Sequence, residues 1–80
     1  MDSGEQFFRY ECDGFDYFED ILSWAPDWET AAKRCIDMAK GGTRPMCKIY
    51  DVRVHHHIPV GRVSWCQREG ITVKDYRGKV

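Results

Sequence analysis

Residues 27–42, DWETAAKRCIDMAKGG, decide the fold because their apolar positions follow the period of a helix. At about 100° per residue, one side of this helix carries Trp28, Ala31, Ala32, Cys35, Ile36 and Ala39. The other side is polar. Asp27 is suited to capping the first free amides, and Gly41-Gly42 is suited to a left-handed exit. A helix with one apolar side has to pack on another apolar layer.

The segments before this helix predict strands. Residues 7–12, FFRYEC, are rich in aromatic side chains and lead into Asp13-Gly14, a dipeptide typical of tight turns. Residues 15–24, FDYFEDILSW, fit either a short helix or a strand. Pro26 favours the strand, because a residue directly before proline avoids helical geometry. We therefore expect a second strand here.

The segments after the helix predict an antiparallel meander. Residues 46–57, MCKIYDVRVHHH, read as the clearest strand, with the even positions facing inward, and residues 62–68 and 71–76 as two more. The predicted fold is α+β: one amphipathic helix packed on a four- to five-stranded antiparallel sheet, in a single domain of residues 1–80. The predicted core is Trp28, Cys35, Ile36, Ala39, Val52, Val54, Val63, Trp65, Ile71 and Val73.

Composition indicates a cytoplasmic protein. The hydrophobic share of 42 % argues against disorder, and no stretch approaches the ~20 apolar residues of a membrane span. The first residues, MDSGEQFF, lack the basic and apolar regions of a signal peptide. We therefore expect no membrane partner and four reduced thiols: Cys12, Cys35, Cys47 and Cys66.

Charge is divided unevenly along a chain whose formal net charge is −1. Residues 1–30 hold nine acidic side chains and one basic side chain, a balance of −8, whereas residues 31–80 hold eleven basic and four acidic ones, a balance of +7. Such asymmetry points to a charged partner, unless the two halves neutralise one another within the fold.

Catalytic and metal-binding patterns are weak. The run His55-His56-His57 has no cysteine pair at zinc-finger spacing beside it, so we expect a polar strand end and no metal site. Cys47 or Cys66 with a histidine would be the only nucleophile pair, and no oxyanion hole or phosphate-binding glycine loop accompanies either. We expect no enzymatic activity, no catalytic residues and no cofactor.

Residues 11–29 combine seven acidic side chains with five large aromatic ones. Carboxylates steer an encounter with a basic surface, and aromatic rings supply contact area that excludes water. This composition predicts a non-enzymatic interaction protein whose partner carries a basic surface. The predicted partner-binding residues are Asp13, Asp16, Tyr17, Glu19, Asp20 and Trp24. Pairing of exposed edge strands into a homodimer stays open as well.

The alternative function is nucleic-acid binding by the outer face of the sheet. Arginine and lysine meet phosphates and aromatic rings stack on bases, although the pI of about 6.3 is low for a dedicated binder. The residues predicted for this role are Arg53, Arg62, Arg68, Lys74 and Tyr76.

The order of elements resembles a class of small proteins. An N-terminal strand, one helix opening D-W-E-T-A-A-K-R and a small antiparallel sheet look like small proteins of phages and mobile elements, anti-CRISPR proteins among them. This resemblance implies stoichiometric inhibition of a host nucleic-acid-handling complex. It covers the general plan of the chain and matches no motif residue by residue, so it assigns no site residues.

Overall fold

The computed structural model describes residues 5–54 and 57–76. In these two ranges, two strands precede the helix and three follow it. In chain order the elements are β1 (Phe8–Asp13), β2 (Ile21–Ala25), α1 (Trp28–Lys40), β3 (Met46–Asp51), β4 (Gly61–Cys66) and β5 (Gly70–Asp75).

The five strands form one antiparallel sheet in the order β2-β1-β3-β4-β5. Helix α1 connects the edge strand β2 to the central strand β3 and contacts all five strands from one side of the sheet. The predicted α+β fold, with one helix packed on an antiparallel sheet, is confirmed. Within the described ranges, no helix is long and apolar enough to cross a bilayer.

Helix α1 begins and ends as its sequence predicts. The carboxylate of Asp27 accepts a hydrogen bond from the Thr30 N–H at 2.7 Å, and this bond lowers the pKa of Asp27 because it favours the charged form. Gly42, with φ of 77°, supplies the left-handed exit. The side chains that α1 buries completely are small: Ala31, Cys35 and Ala39. A small-residue face lets the helix lie close to the sheet.

One glycine of the sheet makes room for the largest side chain of the helix. A Cβ atom added to Gly61 would overlap the Trp28 ring. A further neighbour of that ring is Phe8, whose ring centroid lies 6.5 Å away in an edge-to-face arrangement. Trp28 therefore sits against β1 and β4 at once, and only glycine fits at position 61.

Strand β3 is shorter than predicted, and its odd-numbered positions face the helix at Cys47 and Ile49, whereas the even-numbered positions were predicted to do so. The buried carboxylate of Asp51 accepts hydrogen bonds from the backbone N–H and the guanidinium of Arg53, at 3.0–3.1 Å, and so turns the chain after Asp51. Cys47 and Ile49 are buried, whereas the predicted core residue Val54 is 65 % exposed beyond the turn. His55 and His56 lie outside the described residues.

Two further predictions of the core and turns need correction. Val73 is 44 % exposed because β5 is an edge strand, with a neighbour on one side only. The predicted tight turn at Asp13-Gly14 is instead a longer loop, 14–20, and only the second part of residues 15–24 is strand. A hydrogen bond from the Gly14 N–H to Asp20 at 2.8 Å closes this loop.

The prediction of four free thiols is wrong. Cys12 and Cys47 face each other on β1 and β3, with Cα atoms 4.1 Å apart, and form a disulfide. Cys35 is free and buried, and Cys66 is free and exposed. The bond closes a segment with a sequence separation of 35. In the chain-entropy account, a loop of that length stabilises the folded state by about 4 kcal/mol.

We expect Gly61→Ala to lower the free energy of unfolding by about 2 kcal/mol, because the new methyl group displaces the Trp28 ring. Gly41→Ala is the matched control: its Cβ would meet only ordinary contacts, the nearest at 3.5 Å, so we expect a change within about 0.5 kcal/mol. Urea unfolding followed by tryptophan fluorescence measures both. Equal stability of the two variants would contradict this packing.

Candidate interaction surfaces

The loop 14–20 between β1 and β2 exposes aromatic side chains. Tyr17 is 99 % exposed, and Phe15 and Phe18 are more than half exposed. Asp16, Glu19 and Asp20 are exposed beside them. We call residues 14–20 the acidic–aromatic loop.

Hydrogen bonds close the acidic–aromatic loop on itself and tie its start to the rest of the domain. Gly14 donates its N–H to the Asp20 carboxylate, and Phe15 donates its N–H to the Thr43 carbonyl at 2.9 Å. A Cβ atom at Gly14 would collide with the backbone carbonyl of Phe18, so the loop closes tightly on this glycine. The exposed rings therefore project from a braced backbone.

A cation from the helix–strand connection also holds the loop. Arg44 donates from Nε to the Glu19 carbonyl at 3.2 Å, and its guanidinium lies 5.9 Å from the centre of the Phe18 ring. Asp16 takes a positive φ of 60°, a conformation that aspartate tolerates better than most residues. These contacts keep the tip in one shape while Tyr17 points into solvent.

Strand β2 continues the apolar surface along one edge of the sheet. Leu22 and Trp24 alternate onto the outer face, which is the face opposite α1, and are 57 % and 38 % exposed. Arg34 of the helix donates a hydrogen bond to the Trp24 carbonyl at 2.8 Å. This bond occupies one acceptor on the edge strand and so reduces its capacity to pair with another chain.

The structure brings together five of the six predicted partner-binding residues. Those at or beside the acidic–aromatic loop are Asp13, Asp16, Tyr17, Glu19 and Asp20. Trp24 lies apart from them, three residues after the start of β2 at Ile21 and about 10 Å along the strand from it. It pairs in register with Arg9 of β1. Sequence reasoning missed Phe15 and Phe18 as exposed rings, although both stand in the same aromatic segment.

The residues predicted for nucleic-acid binding divide into two groups. Arg62 and Lys74 lie in register on β4 and β5, and Tyr76 follows β5 with its ring 5.5 Å from the Arg62 guanidinium. Arg53 instead forms an ion pair with Asp51 and lies over the Phe7 ring at 4.6 Å. Arg68 lies in the turn between β4 and β5. These two arginines therefore do not belong to that surface.

Sequence reasoning missed Lys48, which lies next to Arg62 on the neighbouring strand β3. The sequence pattern predicts that the even-numbered positions of β3, and with them Lys48, face the core. With Cys47 and Ile49 buried, alternation places Lys48 on the outer face.

Three buried sulfur atoms form a cluster between the helix and the sheet. The Sγ atoms of Cys12, Cys35 and Cys47 all lie within 4.8 Å of one another, and that of Cys35 is 3.8 Å from that of Cys12. The disulfide between Cys12 and Cys47 occupies two of them, so the oxidised cluster offers one thiol and not three thiolates. Burial raises the pKa of the Cys35 thiol to about 12, which keeps it protonated.

No protein-family model matches the chain, and no curated protein and no solved structure matches it either.

We expect iodoacetamide at neutral pH to modify one cysteine of the folded protein. Cys66 is exposed, whereas Cys35 is buried and lacks the reactive thiolate. Unfolding without a reductant should give two adducts, and unfolding with a reductant should give four. Mass spectrometry counts the adducts, and Cys66→Ser should remove the one found in the folded state. Four adducts without reductant would contradict the disulfide.

Proposed function

We propose that the protein is a small non-enzymatic interaction protein that docks onto a basic surface of a protein partner through the acidic–aromatic loop. The observation that carries this proposal is Tyr17, which is 99 % exposed at the tip of a loop that hydrogen bonds hold in place. An aromatic ring that stays exposed contributes no burial of apolar surface to folding, but that surface is free to be buried against a partner. Because the loop already has a fixed shape, it loses little conformational entropy on binding.

The exposed apolar side chains support a contact surface in this part of the chain. Of the nine large hydrophobic side chains that are exposed in residues 5–54 and 57–76, five lie in residues 15–24. Single exposed apolar residues are ordinary on a protein surface, whereas a concentration of them marks an interaction site. The five are Phe15, Tyr17, Phe18, Leu22 and Trp24.

The charges on the same segment indicate the partner's charge. Asp16 and Glu19 are exposed on the loop, and no described basic side chain forms an ion pair with either. Unpaired carboxylates around aromatic anchors accelerate association with a basic surface and disfavour acidic ones. The partner is therefore a protein with lysine and arginine around an apolar pocket.

The resemblance to phage-type inhibitors makes a host nucleic-acid-handling complex, such as a CRISPR effector, the first partner to test. Such complexes carry basic surfaces, and an acidic docking loop that occupies one would inhibit by competition. We place this action in the cytoplasm. The Cys12–Cys47 disulfide is compatible with that compartment because both residues are at most 2 % exposed, which shields the bond from soluble reductants.

We expect the double charge reversal Asp16→Lys and Glu19→Lys to slow association with the partner about tenfold and to weaken its dependence on salt, because these carboxylates steer the encounter. Asp20 is left unchanged because it closes the loop. The partner is first captured from lysate of the native host with immobilised wild-type protein. Association is then measured by surface plasmon resonance at two salt concentrations.

The matched control for the charge reversal is Glu5→Lys with Glu69→Lys, which changes the net charge equally at two exposed positions outside the loop. We expect it to retain most of the association rate. An equal loss in both variants would mean that net charge, and not the loop, steers binding.

We expect Tyr17→Ala to accelerate dissociation of the same complex about thirtyfold, a loss of about 2 kcal/mol, because the ring is the anchor of the contact. Tyr17→Phe is the control, since it keeps the ring and should dissociate close to the wild-type rate. The melting temperatures of both should match the wild type, because Tyr17 makes no buried contact. If the Tyr17→Ala variant dissociated from the partner at the wild-type rate, the loop would be excluded as the interface.

A further inference from the structure

Three cations lie side by side on the outer face of the sheet. Lys48 on β3 is in register with Arg62 on β4, which is in register with Lys74 on β5. Neighbouring strands are about 4.8 Å apart, so the three residues form a line of about 10 Å across the sheet. We call Lys48, Arg62 and Lys74 the basic row.

The basic row carries an electrostatic cost inside the folded protein. Like charges directly opposite each other on neighbouring strands destabilise a sheet, and here two such pairs share Arg62. Among the described residues, no carboxylate forms an ion pair with any of the three cations. An anion bound across the row would remove this repulsion.

The carboxylate directly opposite the row on the same face already has other partners. Glu11, on β1, lies opposite Lys48 on the neighbouring strand β3. Its carboxylate forms an ion pair with Arg9 at 3.2 Å and accepts a hydrogen bond from the Tyr50 hydroxyl at 3.4 Å. The Arg9 guanidinium also lies 4.6 Å from the centre of the Tyr50 ring. These contacts hold the Glu11 carboxylate toward Arg9, and the basic row keeps its positive charge.

A groove of about 220 Å³ runs along the basic row. Besides the three cations, its lining includes Met46, Ser64 and Tyr76. A second depression, lined by Ile58 and Pro59, shares Arg62 and Tyr76 with it. The volume lies below the ~300 Å³ at which pockets begin to enclose small organic ligands, so this surface suits an extended ligand that lies across it.

We propose that the basic row binds the backbone of single-stranded nucleic acid, with Tyr76 and the apolar rim of the groove contacting bases. Three cations in a line, with no ion pair to another described residue, meet successive phosphates. The Ser64 hydroxyl is an additional donor, and the half-buried Tyr76 ring offers a stacking surface beside the row. An acidic peptide without aromatic side chains would satisfy the cations but would leave the Tyr76 ring without a stacking partner. This surface is separate from the acidic–aromatic loop and does not depend on the function proposed for that loop.

The test is fluorescence anisotropy of a labelled oligothymidylate titrated with the full chain at several salt concentrations. We expect the triple variant Lys48→Gln, Arg62→Gln and Lys74→Gln to bind at least about tenfold more weakly than the wild type. The slope of log affinity against log salt should fall by about 2, because each phosphate contact on a single strand contributes about 0.7.

The matched control is Lys33→Gln, Lys40→Gln and Arg68→Gln, which removes the same charge from exposed positions on α1 and in the β4–β5 turn. We expect it to bind within about twofold of the wild type. Tyr17→Ala should also leave oligonucleotide binding unchanged, which separates this surface from the loop.

Thermal melting gives an independent readout. Because the row variant loses repulsion between like charges, we expect its melting temperature to equal or exceed that of the wild type. A lower melting temperature would contradict the electrostatic cost assigned to the row. Absence of salt-dependent oligothymidylate binding by the wild type, or equal weakening in the control variant, would each overturn the proposal. Equally effective competition by polyglutamate would do so too, because it would assign the row to an acidic protein segment.

Discussion

The contact between α1 and the central strands is the constraint on which the rest of the structure depends. The helix buries only small side chains along its centre, so it lies close enough for the sulfur of Cys35 to reach within 3.8 Å of that of Cys12. The disulfide between Cys12 and Cys47 joins the two strands directly beneath it. Close packing at this point fixes which face of each strand is covered and leaves the other face to solvent.

Covering one face of the sheet determines where charged and aromatic side chains can be exposed. The acidic–aromatic loop projects from the connection between β1 and β2, outside the layer formed by the helix. The basic row lies on the uncovered face of β3, β4 and β5. Each ion pair found among the described residues joins side chains of the same part of the chain, so none links the acidic first part to the basic second part. A chain with little net charge can in this way present two locally strong and opposite charges.

Part of each surface could be predicted from the sequence. The acidic residues around Tyr17 are contiguous in the chain, so composition alone indicated this segment, although the sequence predicted a strand there and not a loop. The basic row could not be located in the same way, because its members come from three strands and Lys48 is separated from Lys74 by a turn and a hairpin. Alternation along the strand predicted Arg53 on the outer, nucleic-acid-binding face of the sheet. Its ion pair with Asp51, which keeps it away from that face, is a local contact that alternation does not encode.

The sequence by itself determined the helix and the fold class. The helical period, the Asp27 cap and the glycine exit are local features, and short connections leave antiparallel pairing as the remaining arrangement. Only the tertiary structure decided the inward face of β3, the pairing of Cys12 with Cys47 and the alignment of Lys48, Arg62 and Lys74. Each of these follows from strand register, and a shift of one residue in register turns every side chain of a strand to the opposite face.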